Sequence, residues 1–301
     1  MIDISTSRFN ALAAYCRGPY ALISAEEVRW LAAHDEAILV VVIRDVADGE
    51  YAAMLLARDL MERYRWVSMT DFFDTNEEAL SAVAPLVAST HADLEAQRVQ
   101  GDDDGEPMDF FAPRVVPEKL NPDFVTVTSF KGYSSAVELM KPMMRWYEDA
   151  DGNFVEQFQS AGFDARLWEL YIFAMLVEAG CTFDKESAVP DFSARSAFGE
   201  IFVEATTINP ARDRVGNILP PPPTETPEQV RAYNEHFLPT RFARRLKDKL
   251  EKKYWEKEHV AGHPLVFAIQ DFHAPMSMLM SRSALTMYLY GTVWEGTRDE
   301  H

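Results

Sequence analysis

The sequence predicts an α/β fold of the α+β kind, a mixed sheet flanked by helices and preceded by a small α+β N-terminal domain. Three observations lead to it. Short apolar runs with period-two alternation, separated by turn residues, occupy the first hundred positions. A long tract of helical period fills the middle of the chain. From residue 181 onward several strands precede one long charged helix and a last strand. The 301 residues suffice for one large domain or two modest ones. The partition read from them is 1–99 for the small domain, 100–122 for a linker or flap, and 123–301 for the larger domain.

Residues 37–45 and 50–58 read as a hairpin through Asp48-Gly49, a dipeptide suited to a tight turn. Residues 63–70 add a strand, and Asn76 caps a helix to about residue 88, with Glu77 and Glu78 in its first turn where the helix dipole favours anions. The tract 100–122 combines an acid run with four prolines and has neither helical nor strand period. Asp102, Asp103 and Asp104 within it read as solvated acids rather than as metal ligands. Residues 124–130 alternate like a strand, and helices follow at 134–147 and 153–180, the second broken near Gly162. Then come a strand at 181–187, a strand ending at Asp191, a strand at 200–206 and a proline-rich loop at 219–227 whose PPPP run is a stiff connector. A helix at 228–257, divided by Pro239, leads to a strand at 264–270.

Composition excludes several classes. Hydrophobic residues make up 48% and charged residues 26%, which rules out wholesale disorder and coiled-coil or collagen architecture. The longest apolar runs are far shorter than a bilayer span of ~20 residues. The first residues, MIDISTSRFNALAAYCRG, lack the apolar stretch of a secretory signal, and Cys16 and Cys181 form no CxxC pair, so a cytoplasmic protein without membrane partners is expected. The net charge of −19 lies wholly in residues 1–200, with 35 acids against 16 bases; the remaining residues balance at 13 of each. Such a surface argues against non-specific coating of nucleic acid. A local exception runs from Arg241 to Lys257, where eight bases face Asp248, Glu251 and Glu256.

The residues that carry chemistry are acids in apolar settings. Glu169 is the only charge in LWELYIFAMLV, and a buried carboxylate needs a cation, hydrogen bonds or a metal; Arg166 is the bland partner. Glu204 sits in the apolar strand IFVEAT and shares a face with Phe202 and Thr206. A hairpin that brings Asp191 beside Glu204 makes a hard-cation site, suited to Mg²⁺ or Mn²⁺ rather than zinc. His259 and His263 have the spacing of two helical ligands, but Gly262 and Pro264 make that segment a turn. His273, after the last strand, reads as a structural loop residue with a lesser prospect of touching a phosphate. No P-loop, GxGxxG or GxSxG pattern occurs.

Glu169 on a helix, Pro190-Asp191, and Glu204-Ala205-Thr206 together resemble the PD-(D/E)xK nuclease superfamily over residues 162–270, and the blocks FDARLWELYIFA, PDF, VEAT and KKYWEKEHVAGHPLVFAIQDFH look like a bacterial branch of it. The resemblance implies a restriction-endonuclease-like mixed sheet, with Glu169, Asp191 and Glu204 as ligands of Mg²⁺ or Mn²⁺. The pattern departs at Thr206, where the superfamily places a lysine that stabilises charge on the transferring phosphoryl group. The resemblance allows that lysine to come from another element. With Phe242, Leu246, Leu250 and Tyr254 as the apolar face of the basic helix, Lys249 flanks that face and Lys253 lies near its centre; Lys249 is the first candidate and Lys253 the second. Both also fit a packed helix whose lysines snorkel.

Two readings of function follow. One is a metal-dependent nuclease, with Glu169, Asp191, Glu204 and Lys249 or Lys253 catalytic, acting on DNA or else RNA in defence or repair. Arg241, Arg244, Arg245, Lys249, Lys252 and Lys253 would then meet the phosphate backbone, and the N-terminal domain would serve as a regulatory, target-choosing or homodimer-forming module. The other is a catalytically inactive scaffold of the same fold, supported by Thr206 and the acidic surface.

Overall fold

The computed structural model describes residues 1–102, 106–149, 152–184 and 189–292. It is an α+β fold with one antiparallel and one mixed sheet. The chain divides into two compact units, Met1–Ala188 with Ser193–Glu200, and Val189–Phe192 with Ile201–His301. No helix among the described residues is long and apolar enough to cross a membrane.

In the first unit β1 (Ile2–Asp3), β2 (Ala25–Ala33), β3 (Ile38–Asp45), β4 (Tyr51–Arg58) and β5 (Tyr64–Met69) lie in chain order as an antiparallel sheet. The hairpin expected through Asp48-Gly49 is β3–β4, and Gly49 takes the positive φ of 84° that its lack of a Cβ permits. The sequence of β3 is apolar at successive positions because both faces are covered. Ile38, Val40 and Val42 pack with Ala79, Val83 and Val87 of the helix Asn76–Ala92, and Leu39 and Val41 pack with Phe9, Leu12 and Ala13 of the helix Thr6–Ala13. Thr75, not Asn76, caps the longer helix: its hydroxyl accepts the Glu78 N–H at 3.3 Å while the Glu78 carboxylate accepts the Thr75 N–H at 3.2 Å. This reciprocal box explains why Glu stands three residues after Thr.

Of residues 124–130, expected as a strand, 124–129 belong instead to the helix Pro122–Ser129, and Phe130 is its C-cap. Asn121 accepts the N–H groups of Asp123 and Phe124, Pro122 occupies the first turn, and the hydroxyls of Thr126, Thr128 and Ser129 bond back to carbonyls three or four residues earlier. Local capping thus overrides a short period-two pattern. The helices Ser134–Trp146, Phe154–Gln159 and Phe163–Glu178 follow, the break falling at Gly162 as expected. Phe110, Phe124, Met140, Met144, Phe154, Phe158, Phe163 and Leu170 form their common core. Asp102 pairs with Arg65 at 3.2 and 2.9 Å, whereas Asp103 and Asp104 lie outside the described residues.

The second sheet takes the order β6 (Thr182–Asp184), β7 (Phe192–Ser196), β8 (Gly199–Ile208) and β9 (Leu265–Asp271). The strand expected at 181–187 is described only as β6, because residues 185–188 lie outside the described residues. Asp191 precedes β7 rather than ending a strand. The segment FSARS, with its polar Ser193 and Arg195, was not expected as a strand; it forms the first arm of a hairpin that turns at Ala197-Phe198 into β8. β8 and β9 run parallel with Glu204 opposite Phe267 and Thr206 opposite Ile269. Parallel neighbours need a long crossover, and residues 209–264 supply it.

That crossover holds the basic helix in three pieces rather than one: Pro227–Ala232, a π-helical turn Tyr233–Phe237, and Leu238–Leu250. The helix stops at Leu250, short of the expected 257; Lys253 is left-handed with φ 50°, and Tyr254–Glu256 is a 3₁₀ turn. Ile208, Tyr233, Leu238, Phe242 and Ala284 form the core beneath it.

Candidate active site

Glu204 lies at the middle of β8, 3% exposed. Its flanks Phe202, Val203 and Ala205 are buried apolar residues, so the carboxylate has little water and depends on partners. Two side chains supply them. The Lys249 ammonium donates to Glu204 Oε1, and the Tyr254 hydroxyl donates to the same oxygen at 2.6 Å. Lys249 also reaches the Ala205 carbonyl at 3.4 Å. The other oxygen, Oε2, is buried without a hydrogen-bond partner.

Asp191 joins this cluster from the hairpin. Its Oδ2 accepts the Ala205 N–H at 2.7 Å, which sets the carboxylate against the strand position next to Glu204. Tyr254 registers both acids: burial, its hydrogen bond to Glu204, and the charges of Glu204 and Asp191 together push its phenol above the ordinary tyrosine value. The second unit therefore brings together Asp191, Glu204 and Lys249, three of the residues singled out from sequence. Lys249 reaches Glu204 from the last turn of Leu238–Leu250.

Within the second unit the remaining candidates are placed away from Glu204. Lys253 is not brought to Glu204: once the helix stops at Leu250 the 100° steps that aimed it inward no longer apply, and it pairs with Glu256 at 2.9 Å on an exposed turn. Glu169 belongs to the first unit, where Arg166 binds its Oε2 at 2.6 Å. Of the expected nucleic-acid contacts, Lys252 and Lys253 are exposed beyond the helix end, while Arg241, Arg244 and Arg245 line a cleft. His259 meets the Val189 carbonyl at 2.9 Å within a turn, and both His259 and His263 lie against the Phe202 ring. His273 is buried, with Nδ1 at 2.8 and 2.9 Å from the Asp271 carboxylate and Nε2 against the Tyr233 hydroxyl.

Sequence reasoning missed Tyr254 as a polar participant, having counted its ring as part of an apolar face. The ring is buried as expected; the hydroxyl is what reaches Glu204. The usable signal was that a buried tyrosine hydroxyl requires a partner and that an unmatched carboxylate was available in the same unit.

The donor set fits a hard divalent cation. Glu204 Oε2 is an orphaned carboxylate oxygen, Asp191 is a second carboxylate on the N–H of the next strand residue, and oxygen ligands of this kind suit Mg²⁺ or Mn²⁺. Among the described residues no group of three or more His, Cys, Asp or Glu side chains is assembled to hold a metal ion, so the fit rests on these two carboxylates. Comparison with protein-family models, with curated proteins and with solved structures gives no match for this chain.

Proposed function

We propose that this protein is a metal-dependent phosphodiesterase acting on nucleic acid, DNA foremost. The observation that carries the proposal is the convergence of Asp191, Glu204 and Lys249 from a hairpin, a buried strand and a helix end, with one oxygen of Glu204 left unmet. A structural ion pair would be expected to satisfy both oxygens of a carboxylate this deeply buried.

In this reading Glu204 Oε2 and Asp191 would hold Mg²⁺ or Mn²⁺, which would supply Lewis acidity and charge neutralisation for a phosphoryl group. Glu204 Oε1 fixes the Lys249 ammonium beside that site, so a positive charge is in place before the phosphodiester arrives and needs no reorganisation. Tyr254 holds Glu204 in one rotamer and keeps its own proton, because its phenol is shifted upward. Lys252 and Lys253, exposed past the helix end, meet backbone phosphates. One observation favours the scaffold reading instead: Glu169, implied as a third ligand by the resemblance, is held by Arg166.

The test is cleavage of supercoiled, linear and single-stranded DNA and of RNA in Mg²⁺ or Mn²⁺, comparing wild type with Asp191→Ala and Lys249→Ala. Cutting that both substitutions reduce by at least about a hundredfold supports the nuclease, since a positioned charge of this kind contributes about 10²–10³ in rate. Folded protein that cuts no substrate with either metal overturns it in favour of the scaffold.

A further inference from the structure

The second unit contains a cleft of about 810 Å³ between the segment after β8, the π-helical turn and the basic helix. Arg212, Arg241, Arg244 and Arg245 line it, and the one carboxylate among its lining residues is Asp248. This concentration of positive charge stands in a chain of net charge −19. Arg241, Arg244 and Arg245 have no carboxylate partner among the described residues. Arg241 donates one guanidinium N–H to the Asn209 carbonyl, and its Nε is buried with no acceptor. Burial, together with the like charges of Arg244 and Arg245, holds Arg241 below the ordinary arginine value against the opposing pull of Asp271. Guanidinium groups crowded in this way, four against one lining carboxylate, are matched by an anion that presents several acceptor oxygens.

The rest of the lining is largely aromatic and apolar, with the Arg241 guanidinium over the Phe237 ring, 5.8 Å from its centroid. Tyr233 and Phe237 lie on the π-helical turn with ring centroids 5.0 Å apart, and Pro222 and Pro223 also line the cleft. The Tyr233 hydroxyl is held by His273, itself held by Asp271. π-Helical turns of this kind occur frequently at functional sites. The volume is that of a small-molecule site.

We propose that this cleft binds a nucleoside phosphate, with Arg241, Arg244 and Arg245 on the phosphoryl oxygens and the half-buried Phe237 ring against the base. The site is separate from the carboxylate and lysine cluster and does not depend on the cleavage reading.

The test is calorimetric titration of the full chain with ADP in EDTA, which reads binding without cleavage, so a protein that cuts no DNA can still pass it. ADP should bind, adenosine should bind at least tenfold more weakly, and the double variant Arg244→Gln/Arg245→Gln should weaken ADP at least tenfold with unchanged far-UV circular dichroism. Arg212→Gln, at an exposed position, gives a second and smaller weakening. Absence of ADP binding at millimolar concentration, equal binding of adenosine, or undiminished ADP binding by the double variant overturns the proposal. So does displacement of ADP by a single-stranded dodecamer at lower phosphate concentration, which would assign these arginines to a nucleic-acid strand.

Discussion

Replacing Lys249 with Met keeps the aliphatic stem and removes the charge from a buried ion pair of the second unit. The side chains of Lys249 and Glu204 are 16% and 4% exposed, so water screens the pair weakly. At an effective dielectric of about 20, unit charges about 4 Å apart attract by about 4 kcal/mol, and closer charges by more. Removing one partner of such a pair costs about 3–5 kcal/mol, because the other charge is left buried. Tyr254 still donates to Glu204 in the variant, which places the expected loss near the low end, about 3 kcal/mol. With a urea slope of about 2 kcal/mol/M the midpoint falls by about 1.5 M. Equilibrium urea unfolding, supported by hydrogen exchange across β8, measures it. Glu204→Gln in the same background should restore most of the loss, giving a coupling energy of about 2 kcal/mol or more. A Lys249→Met loss below about 1 kcal/mol, or a double variant whose loss equals the sum of the singles, would show that the pair is not buried as described.

Two other outcomes follow. The phenols of Tyr15, Tyr64, Tyr233 and Tyr254 are all raised by burial, so above the ordinary tyrosine value of about 10 the unfolded chain loses protons that the folded chain keeps, and stability present below that pH is lost as pH rises further. Tyr254→Phe should flatten part of that decline while costing about 1–3 kcal/mol at neutral pH, because Glu204 loses a donor; a pH series of urea midpoints checks both. Gly180 sits at φ 77°, and a Cβ there would lie 3.2 Å from a Leu22 methyl carbon. Gly180→Ala should therefore lower stability by about 1–2 kcal/mol in the same assay, and an unchanged midpoint would contradict the backbone conformation.

The α+β class, the β3–β4 hairpin, the helix break at Gly162 and the isolation of Glu204 in an apolar strand were legible in the sequence, because each rests on local periodicity or on the backbone preferences of Gly and Asp. Where local signals conflicted, the reading failed. Residues 124–130 carried a seven-residue alternation and also an Asn-Pro start, and the cap prevailed. Asp191 was expected at the end of a strand because Ser193 and Arg195 disguised β7 as a loop; a strand with alternating polar residues looks the same whether or not it has neighbours to pair with.

Sequence by itself determined which groups are costly to bury: Glu204 among apolar neighbours, the arginines of the basic helix, and the lysines on its flank. With the resemblance it ranked Lys249 before Lys253 but fixed neither, since a 100° step is all that a helix pattern supplies. Only the tertiary structure chose between them, by ending the helix at Leu250, turning Lys253 outward and setting Lys249 and the Tyr254 hydroxyl on one oxygen of Glu204. It also gathered Arg212 and the helix arginines around one cleft. The physical reason is the same in each case. Burial cost is a property of a residue and can be read along the chain, whereas the partner that offsets it is a property of distance between residues far apart in sequence, and distance exists only once the chain has folded.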